Sequence, residues 1–129
     1  MYGWRAKIGR ISPSPETVGA EEWRRSMPDG VCLVETRTLL HDVTVDGLSE
    51  TAKQVERAAL ELASAEVDVI LQAGTAIAFF RGFGHDKDLA KKITAVTAIP
   101  ATTSLTAVVE GMRTLGISRP AIATSYLPE

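Results

Sequence analysis

Cysteine is almost absent from this sequence. Cys32 is the only one in 129 residues, which excludes an internal disulfide framework. It lies in the apolar run Val31-Cys32-Leu33-Val34 and reads as a core thiol rather than a reactive one. Excess charge is absent too. The formal net charge is −2 and no Lys/Arg block occurs, so there is no electrostatic reason to expect a nucleic-acid partner. Long apolar runs are missing, and none approaches the ~20 residues of a bilayer span. The opening stretch MYGWRAKIGRIS has no signal-peptide hydrophobic region, so no membrane partner and a cytoplasmic location are expected.

The signatures of common cofactors are lacking as well. There is no G-x-x-x-x-G-K-[ST] loop, and the first strand runs into Ser12-Pro13-Ser14-Pro15 rather than G-x-G-x-x-G. Gly82-Phe83-Gly84 reads as a plain turn. A phosphoacceptor receiver domain would need acidic residues after the first and third strands, and neither has one. His85, Asp86 and Asp88 read as a solvated helix start, because no further ligand spacing supports a metal cluster. His41-Asp42 reads as a loop pair. No metal site is expected.

What is present is an ordinary globular composition, 45% hydrophobic and 23% charged, in a length that suits one domain over residues 1–129. Ala6–Ile11 reads as a first strand closed by Ser12-Pro13-Ser14-Pro15, and Glu21–Met27 as a short helix before the turn Pro28-Asp29-Gly30. Val31–Val34 begins a second strand. Leu48, Ala52, Val55, Ala59 and Leu62 recur at helical spacing, with Asp46 as N-cap. Val67–Leu71 is a third strand. Leu89, Ile93 and Val96 mark a helix capped by Asp86, and Ile99–Thr102 a short strand. Leu105, Val108, Val109, Met112 and Leu115 form a last helical stripe, with Gly116 at C′, and Pro120–Ser125 is a final strand. Alternating strands and helices imply a parallel sheet covered on both faces, a doubly wound α/β domain.

Such sheets bind ligands outside the carboxyl ends of their strands. Here those ends are Ser12–Pro15, Leu39-Leu40, Gly74-Thr75-Ala76, Thr102-Thr103-Ser104 and Ser125-Tyr126, rich in hydroxyls and poor in charge. Hydroxyls and helix-start N–H groups together suit a substrate carboxylate, or an enolate developing from one. The same Ser and Thr residues would equally serve as helix caps, and the pattern alone leaves both readings open.

Three segments carry a resemblance. IGRISPSPETVGAEEW (8–23), GTAIAFFRG (74–82) and IPATTSLTAVVEGMRTLGISRPAIATSY (99–126) together resemble the arylmalonate decarboxylase and maleate cis-trans isomerase group of the aspartate/glutamate racemase superfamily. Members of that group are about twice as long, with two flavodoxin-like α/β halves facing each other across the site. This chain resembles the N-terminal half. The resemblance implies a cofactor-free decarboxylase of malonate-type acids, or half of one, with a small carboxylic acid as ligand. Racemases and isomerases of the group carry a cysteine in each half, the first where this chain has Gly74. Glycine there is the decarboxylase pattern, its single cysteine lying in the C-terminal half. By the same resemblance Thr75 and Tyr126 would belong to a dioxyanion hole gripping one carboxylate. Pro13, Leu40, Val43 and Leu48 would form an apolar pocket for the other, beside Ser14, Gly74 and Ala76. Ala76 stands where a serine is usual, and Ser14 and Glu16 where the isomerases have a Ser-Ser-Asn-Thr run. Two further readings stand beside this one: a maleate isomerase or amino-acid racemase relative, and a non-catalytic carboxylate-binding or assembly domain. A half of this kind is expected to self-associate or to pair with a C-terminal half through an apolar interface.

Overall fold

The computed structural model describes residues 2–124 and 126. Four parallel strands form its sheet: β1 (Ala6–Pro13), β2 (Val31–Thr38), β3 (Val69–Gln72) and β4 (Ala101–Thr103), in the order β2-β1-β3-β4. Five helices connect them, α1 (Gly19–Ser26), α2 (Val45–Lys53), α3 (Val55–Ser64), α4 (Thr75–Phe79) and α5 (His85–Thr97), and α6 (Ser104–Thr114) follows β4. This is the expected doubly wound α/β architecture. No helix among the described residues is long and apolar enough to cross a membrane.

The core lies on one face of the sheet. Ile11 and Ile70 project from the two central strands into a cluster with Leu48 of α2, Val55, Ala58, Ala59 and Leu62 of α3, Ile77 of α4, and Leu89 and Ile93 of α5. At ~25 cal/mol per Å² of apolar surface, burying such side chains is the dominant favourable term. On the opposite face Ile8, Val69 and Leu71 line an apolar groove of about 390 Å³ with Trp23 of α1 and Val108 of α6.

Several elements differ in extent from the sequence reading, each for a local reason. β1 runs on through Ser12 and Pro13, and β2 reaches Thr38, because the two strands stay in register to their last pair, Pro13 with Thr38. Proline is tolerated at a strand end, where no further ladder donor is needed. β3 starts at Val69, two residues late, and α1 starts at Gly19, two residues early. The helical stripe 48–62 is two helices rather than one. They break at Gln54, whose side chain is held by the loop after β2: Leu39 N–H donates to Gln54 Oε1 at 2.9 Å, and Gln54 Nε2 donates to Leu39 O at 3.0 Å. The N-cap of α2 is Thr44, not Asp46, since Thr44 Oγ1 accepts from Gly47 N–H at 3.2 Å. α5 is capped by Gly84 in the left-handed region, with Asp86 inside the first turn. Gly116 does occupy C′ of α6, with φ +70°. Its N–H bonds Arg113 O and that of Ile117 bonds Met112 O, the paired contacts of a Schellman end.

The last strand is not formed. Residues 120–124 are exposed and unpaired, and Ile122 is 82% exposed; Ser125 lies outside the described residues. A parallel strand needs cover on both faces, and nothing among the described residues covers this segment. Cys32 is not a core residue either. It is half-buried at the start of the edge strand β2.

His85 opens α5 with its ring edge-on to Phe80, centroids 5.0 Å apart. Burial and, secondarily, the Arg81 guanidinium hold its pKa below the ordinary value, against the opposing pull of Asp88 and Asp86. A histidine whose protonation is disfavoured in the native state costs stability as pH falls, because the unfolded chain binds the proton first. The free energy of unfolding is therefore expected to be fully present above about pH 6.5 and to decline as pH is lowered through that value. Urea titrations at about pH 7 and about pH 5.5 should show the decline, and His85→Phe should flatten it. An equal decline in the variant would place its source elsewhere.

Candidate functional site

The strand order reverses at β1. The chain leaves β1 toward β2 on one side and reaches β3 on the other, so a crevice opens between the carboxyl ends of β1 and β3. Its two walls are Pro13-Ser14 and Gly74-Thr75-Ala76. Gly74 turns β3 into α4 with φ +90°, a region that L side chains rarely adopt. A Cβ built there would lie 3.6 Å from the Pro13 ring, so the walls stand about one carbon atom apart.

An ion cluster fixes the Pro13 wall. Arg10, 4% exposed in the middle of β1, donates to Glu35 Oε2 of β2 at 2.9 Å and to Glu16 Oε2 of the loop after β1. Glu35 Oε1 accepts from Ser12 Oγ at 3.0 Å and faces Arg37 Nη2 at 3.1 Å. Arg37 Nη1 donates to the carbonyls of Ser14 at 2.9 Å and Glu16 at 2.5 Å. Two guanidinium groups thus hold the loop by its backbone and by one carboxylate. Ser14 completes the wall: its Oγ accepts from Leu40 N–H at 3.0 Å, and its N–H donates to Thr38 O at 2.8 Å. Its hydroxyl oxygen is thereby engaged in holding Leu40 in place.

Beneath the crevice lies a cavity of about 40 Å³, lined by Pro13, Leu40, Leu48, Gly74, Ala76 and Ile77 together with Thr38, Thr51, Gln72 and Ala73. No charged side chain lines it. Pro13, Leu40, Gly74 and Ala76, singled out in the sequence, meet here, and so does Leu48. Val43 does not: it is 65% exposed on the loop before α2. Thr51 and Gln72 escaped the sequence reading. Both are fully buried, and a lone polar residue in an apolar stripe gives no sign of which way it points.

Thr75 and Tyr126 lie 51 positions apart in the chain, and their hydroxyl oxygens are 2.6 Å apart. The Tyr126 ring also meets the Phe79 ring edge-on, with centroids 5.0 Å apart and planes at 83°. Residues 75 and 79 share one face of α4, so tyrosine packs along that face and brings its hydroxyl to the helix start. The unbonded first-turn N–H groups of α4 lie beside this pair. Such an arrangement offers two O–H donors and backbone N–H groups to one anionic group, with an apolar cavity adjacent.

Other sequence candidates take structural roles. Thr103 caps α6 by accepting from Thr106 N–H at 3.1 Å. Thr106 donates to Asp86, which ties α6 to α5. No metal-binding group of His, Cys, Asp and Glu occurs among the described residues.

Comparison with known proteins bears on the family and the fold. The family described as arylmalonate decarboxylase matches residues 24–129. An arylmalonate decarboxylase of Bordetella bronchiseptica is 30% identical over 122 residues, covering 95% of this chain and 50% of that protein. Among solved structures, a liganded double mutant of arylmalonate decarboxylase matches with a TM-score of 0.78 and 28% identity, over 86% of this chain and 47% of its own. A maleate cis-trans isomerase of Nocardia farcinica with a covalently bound succinylcysteine intermediate matches with a TM-score of 0.77 and 27% identity, over 86% and 49%. The chain spans about half the length of the relatives it matches.

The ion cluster under the crevice gives a stability test. Glu35→Leu removes the carboxylate shared by Arg10, Arg37 and Ser12 while Arg10 and Ser12 stay buried, and should cost about 3–5 kcal/mol by urea denaturation. Glu21→Ala, which breaks an exposed pair with Arg25, should cost less than about 1 kcal/mol. Equal effects would mean that the cluster is solvated and holds nothing in place.

Proposed function

The chain belongs to the arylmalonate decarboxylase family, and from that premise we propose that it supplies the carboxylate-gripping side of a cofactor-free decarboxylase of malonate-type acids. The observation that carries the reading is the 2.6 Å pairing of the Thr75 and Tyr126 hydroxyls at the β1/β3 switch point. Free of ligand, the pair satisfies one hydroxyl with the other. A bound carboxylate takes a hydrogen bond from each, and both bonds strengthen as the group becomes an enediolate. The neighbouring cavity has no charged lining. A carboxylate pushed against such a surface is poorly solvated, while the CO₂ it releases is neutral, so the environment favours the loss.

Among the described residues, no thiol that could protonate the resulting carbanion stands at this site. Gly74 offers no thiol, and Cys32 sits at the amino end of β2, six positions before the strand end at Thr38, roughly 20 Å away along the strand. The resemblance assigns the donor to a cysteine on a second half. The maleate isomerase reading is favoured by the comparable fit to isomerase structures; glycine rather than cysteine at position 74 weighs for decarboxylation. The proposed partners are a small carboxylic acid and a cysteine-bearing half.

The test is kinetic. Residues 1–129 alone should release no measurable CO₂ from phenylmalonate-type acids. Joined to the C-terminal half of the Bordetella relative, they should turn the substrate over. In that protein Thr75→Val should lower kcat by about 10²–10³. Tyr126→Phe should lower kcat and kcat/KM together, as loss of a contact made mainly in the transition state does. Near-normal turnover by Thr75→Val, or a rise in KM alone for Tyr126→Phe, would refute the assignment.

A further inference from the structure

Tyr126 reaches the site on a segment that gives it little support. Residues 120–124 are exposed and form no strand, and the Tyr126 N–H bonds back to Thr124 Oγ1 at 3.1 Å, within the same segment. Tyr126 itself is 44% exposed. Two contacts tie it to α4, one at each end of the helix. Its hydroxyl lies 2.6 Å from that of Thr75, and its ring meets Phe79 edge-on at 5.0 Å.

The two contacts are unequal. A neutral hydrogen bond at an exposed position replaces one made to water, so its net hold is small. An edge-to-face ring pair adds the attraction of two quadrupoles to the burial of both rings. The carboxylate-binding reading of the site widens the difference. An acid bound between the two hydroxyls takes a bond from each and breaks the bond between them, so ring packing on Phe79 is then the contact with α4 that remains.

Phe79 has no evident task in the core. Its neighbour Phe80 packs against the core cluster, whereas Phe79 is 37% exposed and lines an open cavity of about 430 Å³ with Leu105 and Val109 of α6. Leucine forms helix better than phenylalanine, so α4 by itself does not call for a ring here. Helical side chains lean toward the N-terminus of their helix. The Phe79 ring therefore leans toward the turn that carries Thr75, within the span of a single tyrosine.

We propose that Phe79 is a positioning residue: its ring holds Tyr126 so that the phenolic O–H stays aimed at the group bound beside Thr75. The inference rests on the carboxylate-binding reading of Thr75 and Tyr126, and it adds what keeps the tyrosine in place while an acid occupies the pair.

The chain alone tests the hold, with no substrate present. Tyr2, the only other tyrosine, is 96% exposed, so tyrosine-selective labelling for NMR gives one free ring as a reference beside Tyr126. Nuclear Overhauser contacts should join the Tyr126 ring to the Thr75 methyl group. Phe79→Leu should weaken them by about two- to tenfold, and Phe79→Tyr, which keeps the ring, should retain them. Tyr126→Phe should also keep its ring against Thr75, because the ring pair survives loss of the hydroxyl. Contacts unchanged in Phe79→Leu, or lost in Tyr126→Phe, would overturn the proposal.

The protein joined to the Bordetella C-terminal half tests the consequence. Phe79→Leu should lower kcat by about two- to tenfold when Tyr126 is present. It should lower kcat no further once Tyr126→Phe is in place, because a positioning residue acts only through the group it positions. Equal losses in both backgrounds would mean general destabilisation and would overturn the role of Phe79 while the carboxylate site stands. An unchanged kcat in Tyr126→Phe would instead remove the carboxylate reading, and the catalytic part of this proposal with it.

Discussion

The reversal of strand order at β1 is the constraint from which the rest follows. A parallel sheet whose connections all ran one way would close its carboxyl edge with loops packed side by side. In the order β2-β1-β3-β4 the loops after β1 and β3 diverge, and the gap between them cannot be filled by either connection. What the chain places around that gap decides its chemistry: two hydroxyls, helix-start N–H groups, and below them a cavity with no charged lining.

Both walls of the gap are held at a cost. Gly74 adopts φ +90°, which few other residues would tolerate, so that α4 can start within one carbon atom of Pro13. On the other side Arg10 is buried in the middle of the sheet, where a guanidinium is expensive unless paired. It is paired twice, with Glu35 and Glu16, and the second pair reaches the loop that carries Pro13. The net charge of Arg10, Arg37, Glu16 and Glu35 is zero. The cluster can therefore brace the loop without adding net charge beside the crevice.

The sequence announced the layers but not the details that make the site. The helical stripe at Leu89-Ile93-Val96 marked α5 because period-3.6 patterning follows a buried face, here Leu89 and Ile93; the stripe at Leu105-Val108-Met112 marked α6 although none of its residues is buried among the described residues. Gly116 was legible because a left-handed C′ residue is nearly a local property. Arg10 was not, since in Ile8-Gly9-Arg10-Ile11-Ser12 it alternates with apolar residues as a solvent-facing strand residue would. Its burial comes from Glu16 and Glu35, which only the fold brings near. The break at Gln54 depends on a loop residue 15 positions away, Leu39, so the stripe alone read as one helix. Pro120–Ser125 looked like a strand from composition, yet residues 120–124 lie exposed, because a strand is made by its neighbours as much as by its own residues. The meeting of Thr75 with Tyr126 came from resemblance, not from any pattern in the chain.

A crystal structure of the chain grown with methylmalonate tests the central claim most directly. One carboxylate oxygen should lie about 2.7–3.1 Å from Thr75 Oγ1 and another within the same range of Tyr126 Oη, with the hydrogen bond between the two hydroxyls broken. A carboxylate bound elsewhere on the sheet edge, with the Thr75–Tyr126 bond intact, would contradict the account.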